Sequence, residues 1–132
     1  MPYTHAFTEE GPFDVVVHVS GRRTATELRN GRRRLLADLQ PEMNILVDHT
    51  GLDPAETSTE ELRALAASAG VEWSKAGIAH LVMFAPAPVN YGLLRLWHTL
   101  LPEELGARAV VVRTLDEAYA WLAARQAESE QE

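Results

Sequence analysis

Asp48, His49 and Ser58 are the residue types of a hydrolytic triad, and they lie close together in the sequence. In such a triad a carboxylate orients a histidine, and the histidine removes a proton from the serine. Adjacent residues of a strand point to opposite faces, however, so Asp48 is poorly placed to orient His49. The chain also lacks the G-x-S-x-G turn that presents the serine of many hydrolases. These residues therefore do not predict a hydrolase.

The histidines are the other groups that could bind a metal ion or transfer protons. They stand at positions 5, 18, 49, 80 and 98, without a ligand spacing such as His-x-x-x-His. Cysteine is absent, which excludes thiolate metal sites and thiol nucleophiles. Neither a G-x-G-x-x-G turn nor a Walker loop occurs. We therefore predict no metal site, no cofactor and no enzymatic activity.

The composition indicates an ordinary soluble protein. Of the 132 residues, 46% are hydrophobic and 23% are charged, and the net charge is −7. This acidic balance argues against nucleic acid as a partner. The sequence contains neither an apolar run long enough to span a membrane nor the pattern of a signal peptide, so a cytoplasmic location is predicted. The length predicts a single domain over residues 1–126, with residues 127–132 as a frayed acidic tail.

A basic cluster interrupts the acidic character of the chain. Its arginines at positions 29, 32, 33 and 34 fall within a predicted helix. They have the charge to contact phosphates or acidic lipid headgroups. No aromatic residue interleaves with them, which favours a solvated helix face whose arginine stems cover apolar surface.

Strands and helices alternate along the rest of the sequence. Strands are predicted over residues 3–8, 13–19, 43–49, 78–85 and 109–112. Helices are predicted over residues 24–40, 58–69, 90–101 and 115–125. Residues 71–77 either extend the second helix beyond its predicted cap, Gly70, or form a loop. The pattern predicts an α/β fold with a mixed sheet of about five strands, mostly parallel with an antiparallel N-terminal edge strand, flanked by about four helices.

Two loops leave the carboxyl ends of the predicted strands, where ligands of open parallel sheets bind. The first runs from Asp48 to Thr57 and contains His49, a candidate binding residue. The second, from Pro86 to Asn90, opens a helix in which Asn90 is the predicted N-cap. Free backbone N–H groups near Tyr91 and Gly92, together with Arg95, would suit an anion. The alternative is a plain N-cap, with Arg95 in a surface ion pair.

Three segments together resemble the SpoIIAA-like (STAS/SEC14-type) proteins of bacteria. They are ILVDHTGLD, AHLVMFAPAPVNYGLLRLWHTLLPE and the ending AVVVRTLDEAYAWL. The resemblance implies a regulatory domain that contacts a protein partner or forms a homodimer. In relatives, a serine at a helix start is phosphorylated to control partner binding, which makes Ser58 the matching candidate here. The same hydroxyl is also explained as a helix cap.

The resemblance leaves two functions open. One is a non-enzymatic regulatory or protein-interaction domain, which predicts an exposed apolar patch near residues 86–97. The other is a binder of a small apolar ligand or lipid, as in SEC14-type relatives. That alternative requires a hollow lined by five large side chains, namely Trp73, Met83, Phe84, Tyr91 and Trp97.

Overall fold

Runs rich in valine and isoleucine form the central strands of one sheet, because β-branched side chains favour extended backbone. The computed structural model describes residues 3–7, 11–54 and 58–131. Its strands are β1 Tyr3–Phe7, β2 Val15–Arg23, β3 Asn44–Pro54, β4 His80–Phe84 and β5 Ala109–Val112. Its helices are α1 Ala25–Asp38, α2 Thr59–Ala76, α3 Pro88–Thr99, α4 Glu103–Ala107 and α5 Leu115–Gln131.

The strands lie in the sheet in the order in which they occur in the chain. Strands β2 to β5 are parallel, and β1 pairs antiparallel with β2. The predicted α/β class and mainly parallel sheet are therefore confirmed. Helix α5 includes residues 127–131, most of the segment that the sequence separates as a tail.

Two hydrophobic clusters occupy opposite faces of the sheet. Right-handed crossovers that all step in one direction place their helices on one face, and α1, α2 and α3 do lie together. Val15 and Val17 of β2 point into that larger cluster, whereas Leu46 and Val82 point toward α5 on the other face. The side chain of His18 is exposed, whereas those of its neighbours Val17 and Val19 are buried, which is the alternation expected of a strand with one covered face. The larger cluster is the one that surrounds the candidate site.

Capping boxes fix the starts of two helices, as the sequence predicts. Thr24 and Glu27 cap α1, and Ser58 and Glu61 cap α2; in each pair the side chains bond to the partner's backbone N–H. In the sequence, Thr57 with Glu60 has the same capping-box spacing as Ser58 with Glu61, but Thr57 lies outside the described residues.

Helix α2 is longer than the predicted 58–69, and the assignment of Gly70 as its C-cap is wrong. The helix continues through residues 71–76 and ends at Gly77, whose φ of 65° is the left-handed conformation of a C-cap. Gly70 instead allows a close approach, because an added Cβ would lie 2.8 Å from side-chain atoms of Pro102. Glycine is suited both to a left-handed C-cap and to a close contact between segments, and the sequence alone does not show which of the two a given glycine provides.

The first predicted loop is also largely strand. β3 continues to Pro54, and residues 51–54 pair with residues 20–23 of β2. The predicted end of β2 at residue 19, before Ser20-Gly21, is therefore wrong. Gly21 continues the strand with a φ of 75°, a conformation that glycine adopts without strain.

Five helices, rather than about four, flank the sheet within the described residues. The additional one is α4, which lies between the predicted helix 90–101 and the predicted strand 109–112, where Pro102 and Gly106 are typical of a turn. Pro102 is its N-cap, and Glu103 and Glu104 occupy its first turn, where negative charge favours the helix start. Proline precedes short helices as readily as turns, which explains the missed element.

Candidate functional site

A pocket of about 120 Å³ lies between α1, α2, α3 and the carboxyl-terminal half of β3. Five leucines that line it are partly exposed, whereas its other lining side chains are all buried. The partly exposed leucines are Leu28, Leu52, Leu65, Leu93 and Leu94. The buried side chains are Arg32, Val47, His49, Leu62, Trp73, Leu81, Met83, Asn90 and Trp97. The pocket thus has a buried interior and an apolar, partly exposed rim.

Three of the five side chains predicted to surround a hollow do line this pocket. They are Trp73, Met83 and Trp97. Phe84 lies elsewhere, packed against the hydrophobic cluster on the α5 face. Tyr91 does not line the pocket either. The leucines were missed as pocket residues. Four of them have the helical spacing of inward-facing residues, but periodicity cannot distinguish a filled core from a hollow one, and the fifth, Leu52, lies in β3.

A β-bulge shapes the strand that forms one wall. Between the pairs His18–Asp48 and Ser20–Gly51, β3 contains one residue more than β2. In a regular strand every second side chain faces the same side, so residue 51 would follow Val47 and His49 into the pocket. The extra residue places Leu52 there instead. Bulges re-aim side chains in this way and are frequent beside functional sites.

His49, one of the predicted binding residues, is buried beside this bulge. Its side chain lines the pocket, and its Nδ1 has no hydrogen-bond partner. Burial lowers the pKa of His49 from 6.5 to about 4, against the opposing effects of the Asp48 charge and the carbonyls of Phe84 and Val47. The imidazole is therefore neutral at pH 7 and retains an unused polar atom.

Asn90 supplies the second unused polar atom. Its Nδ2 donates hydrogen bonds to the carbonyls of Leu52, at 2.8 Å, and of His49, at 3.4 Å. Its Oδ1 is buried without a partner. The prediction that Asn90 is an N-cap is wrong: Pro88 begins α3, and Ala87 precedes it without a side-chain cap. Proline is pre-set for the first helical position, which moves Asn90 into the first turn and toward the sheet.

Arg32 also lines the pocket. The sequence instead favours a solvent-exposed helix face for the whole basic cluster to which Arg32 belongs. Its Nε donates to Glu72 Oε2 at 2.7 Å and its Nη2 donates to Ser68 Oγ at 2.6 Å. Burial alone would raise the pKa of Glu72, but hydrogen bonds and charge from Arg32 and Arg33 outweigh it and hold that pKa below its ordinary value. The Arg32 charge is therefore already balanced within the protein.

Asp48 and Ser58, the other two residue types of a hydrolytic triad, do not line the pocket that contains His49. The Asp48 side chain is directed away from the pocket, and its Oδ2 lies 3.3 Å from Nδ1 of His18. The Ser58 hydroxyl accepts a hydrogen bond from the backbone N–H of Glu61, at 3.1 Å. The predicted divergence of Asp48 and His49 is confirmed, and phosphorylation of Ser58 stays a prediction.

The predicted anion-binding residues of α3 are divided between two surroundings. Asn90 faces the pocket, but the backbone N–H of Tyr91 bonds to the carbonyl of Ala87, at 2.9 Å. The Arg95 guanidinium donates to the hydroxyl of Tyr91, and Arg113 lies over the same ring at 5.5 Å. Gly92 is exposed. Anion binding at Tyr91, Gly92 and Arg95 stays a prediction.

Two further kinds of functional feature are absent from the part of the chain that the structure describes. There, His, Asp and Glu side chains do not form a group of three or more that could hold a metal ion. None of the helices described combines the length and the hydropathy needed to cross a bilayer.

Comparison with known proteins identifies the fold. No protein-family model matches the chain, and no curated protein sequence matches it. It is similar to the crystal structure of an uncharacterized protein of the DUF3478 family from Shewanella loihica PV-4, which is described as having a SpoIIAA-like fold. The TM-score is 0.54 at 15% sequence identity, and the match covers 91% of each chain. The chain therefore has a SpoIIAA-like fold, as its sequence segments suggest.

Proposed function

We propose that this SpoIIAA-like protein is a non-enzymatic, STAS-like binding domain whose pocket holds a small, mainly apolar molecule. The observation that carries the proposal is the pocket of about 120 Å³, which is lined mainly by apolar side chains. Two polar atoms of lining residues, His49 Nδ1 and Asn90 Oδ1, lack partners but are buried by the protein itself, so the surface that the pocket offers to a ligand is mainly apolar.

The walls of the pocket support an apolar ligand. Tryptophan, methionine and leucine dominate the lining, and its polar groups are few. Natural binding sites for small molecules have this composition, in which apolar surface supplies affinity and a few polar atoms fix orientation. An empty hollow of this size forgoes packing energy, and a bound molecule that filled it would restore contacts with its lining.

Obstruction of the rim tests the proposal. Leu65 lies on α2, lines the pocket and is partly exposed, so Leu65→Trp should occupy the pocket without removing either unpaired polar atom. Val71 lies on the same helix, is 57% exposed and does not line the pocket, so Val71→Trp is the matched control. We expect native mass spectrometry of freshly purified protein to show a non-covalent adduct that Leu65→Trp abolishes and Val71→Trp retains.

Two outcomes would contradict the proposal. One is a clean apo mass for the wild-type protein that persists after incubation with small apolar compounds. The other is an adduct that survives Leu65→Trp unchanged, since it would bind elsewhere. Circular dichroism spectra of both variants should match the wild type, which shows that any loss of the adduct is not caused by unfolding.

A second candidate function is protein contact through α3. Val89 and Leu96 are 68% and 46% exposed and stand seven residues apart, on one face of the helix. Gly92 lies between them with open space around its Cα. This is the kind of apolar patch that the sequence predicts near residues 86–97 for a protein-interaction domain or homodimer.

Sedimentation tests this second function. A homodimer formed through α3 should dissociate in Leu96→Glu, because the substitution would bury a carboxylate at the interface. Leu115→Glu is the control, since Leu115 is similarly exposed, at 42%, but belongs to α5 on the opposite face. A wild-type protein that sediments as a monomer at all concentrations contradicts the homodimer.

A further inference from the structure

We infer that Tyr91, Arg95 and Arg113 form a binding site for the phosphate monoester group of a small molecule. The site lies at the carboxyl ends of two parallel strands, because α3 follows β4 and Arg113 directly follows β5. None of the three side chains lines the pocket, so the inference goes beyond the proposed function, and its failure would leave that function untouched.

One tyrosine ring brings the two guanidinium groups together. Cζ of Arg95 lies 5.6 Å from the centroid of the Tyr91 ring, and Cζ of Arg113 lies 5.5 Å from the same centroid. The two carbon atoms are therefore no further apart than the sum of these distances. A guanidinium within about 6 Å of a ring centroid is attracted by the ring, and this attraction restrains two otherwise flexible side chains.

The Tyr91 hydroxyl adds a donor at the same place. It accepts a hydrogen bond from Nη1 of Arg95, at 2.9 Å. A tyrosine hydroxyl can donate as well as accept, and among the described residues the Tyr91 proton has no acceptor. Arg95 is thus held by a hydrogen bond as well as by the ring, and both side chains retain donors for an anion.

Neither arginine forms an ion pair with a described residue. Acidic side chains that do form such pairs include Glu72 and Glu128, and these contact other arginines. The chain as a whole is acidic, with a net charge of −7, so two neighbouring arginines without a counter-charge are unexpected. Since arginine stays charged in proteins, a bound anion would supply the charge that the protein does not.

Exposure and charge indicate the class of ligand. Arg95 and Arg113 are both exposed, so an anion can reach them from solvent. Guanidinium groups match phosphate oxygens with parallel N–H donors, and two of them balance the charge of about −1.5 to −2 that a phosphate monoester carries. A carboxylate would leave one arginine uncompensated. The acidic chain opposes approach to an anionic membrane, which favours a soluble molecule over a lipid headgroup.

Titration with inorganic phosphate tests the site. At about pH 8, where phosphate is largely a dianion, and at constant ionic strength, the NMR signals of the Arg95 and Arg113 Cζ atoms should shift saturably. The Cζ signal of Arg125 should stay in place. This arginine also lies over a ring, at 5.1 Å from the Trp121 centroid, but it is paired with Glu128.

Matched substitutions locate the binding. Arg113→Gln should weaken phosphate binding at least about fivefold, since one charge-assisted hydrogen bond is lost at an exposed position. Arg125→Gln removes the same charge from the other ring and should leave the affinity unchanged. Acetate, a planar monoanion, should bind at least about fivefold more weakly than phosphate, because it can balance only one of the two arginines.

Three results would overturn the inference. The first is an absence of saturable shifts at Arg95 and Arg113. The second is equal affinity for acetate and phosphate, or equal effects of Arg113→Gln and Arg125→Gln, either of which would show a general response to charge. The third is binding only to vesicles of phosphatidylcholine with phosphatidic acid as the minor lipid, which would assign the arginines to a membrane surface.

Discussion

His49 makes the protein sensitive to acid, and the size of the effect follows from its burial. The unfolded chain binds a proton at the ordinary pKa of 6.5, whereas the folded protein binds it at about 4. Between these values the unfolded state binds more protons, so the free energy of unfolding falls as the pH falls. The full difference corresponds to about 3 kcal/mol. Between pH 7 and about pH 4.5 it amounts to about 2 kcal/mol.

Replacement of the imidazole by an amide isolates this contribution. His49→Gln removes the titration and keeps a polar side chain of similar length. In urea unfolding followed by circular dichroism, the variant should lose about 2 kcal/mol less stability than the wild type between pH 7 and about pH 4.5. The comparison uses the difference between the two pH values, so a packing defect present at both of them cancels.

His80 provides the matched comparison. Burial and the charges of Arg125 and Arg108 also lower the pKa of His80, but this side chain is only partly buried. His80→Gln should therefore change the acid dependence in the same direction and by less than His49→Gln. Parallel stability curves for wild type and His49→Gln would refute the reasoning, as would an NMR titration of the His49 ring with a midpoint near 6.5.

Other predictions concern the packing around the pocket. Glu72→Gln should destabilise the protein by about 3 kcal/mol at pH 7, since buried Arg32 loses its counter-charge, and a loss below about 1 kcal/mol in urea unfolding would contradict the account. The pKa of Glu72 in the folded protein lies below the ordinary 4.5, so the stabilisation that its carboxylate provides is lost as the pH falls through that folded value. The difference in stability between the wild type and Glu72→Gln should shrink over the same range. Gly70→Ala should destabilise by about 1–3 kcal/mol through contact with Pro102, despite the better helix propensity of alanine. Gly92→Ala, at an open helical position, should instead stabilise by about 0.5–1 kcal/mol, and equal thermal shifts for both glycine variants would contradict the close packing.

Local sequence signals predict much of the fold. The valine strand Val15–Val19 shows its buried face by alternation, and Thr24 and Ser58 are placed as caps by a glutamate three residues later. The final strand, β5, has the predicted bounds, residues 109–112. These features depend on neighbours in sequence, and short-range patterns suffice to find them.

The site could be predicted only in part, because its contacts join distant segments. Arg32 is indistinguishable from the exposed Arg34 until Glu72 approaches from α2, forty residues later in the sequence. Asn90 has the residue type of a cap, and its burial depends on carbonyls at the end of β3. The tryptophans and Met83 were recognised as large apolar side chains, but whether they fill a core or enclose a hollow depends on how three helices pack.

The methyl group of Met83 offers the most direct test of ligand binding. The chain contains three methionines, of which Met83 is buried in the pocket lining and Met43 is outside it. In protein labelled at the methionine methyl groups, titration with a small apolar compound such as toluene should shift the Met83 signal saturably and leave the Met43 signal in place, and Leu65→Trp should suppress the shift. A Met83 signal that stays fixed at saturating toluene would contradict the proposed pocket function.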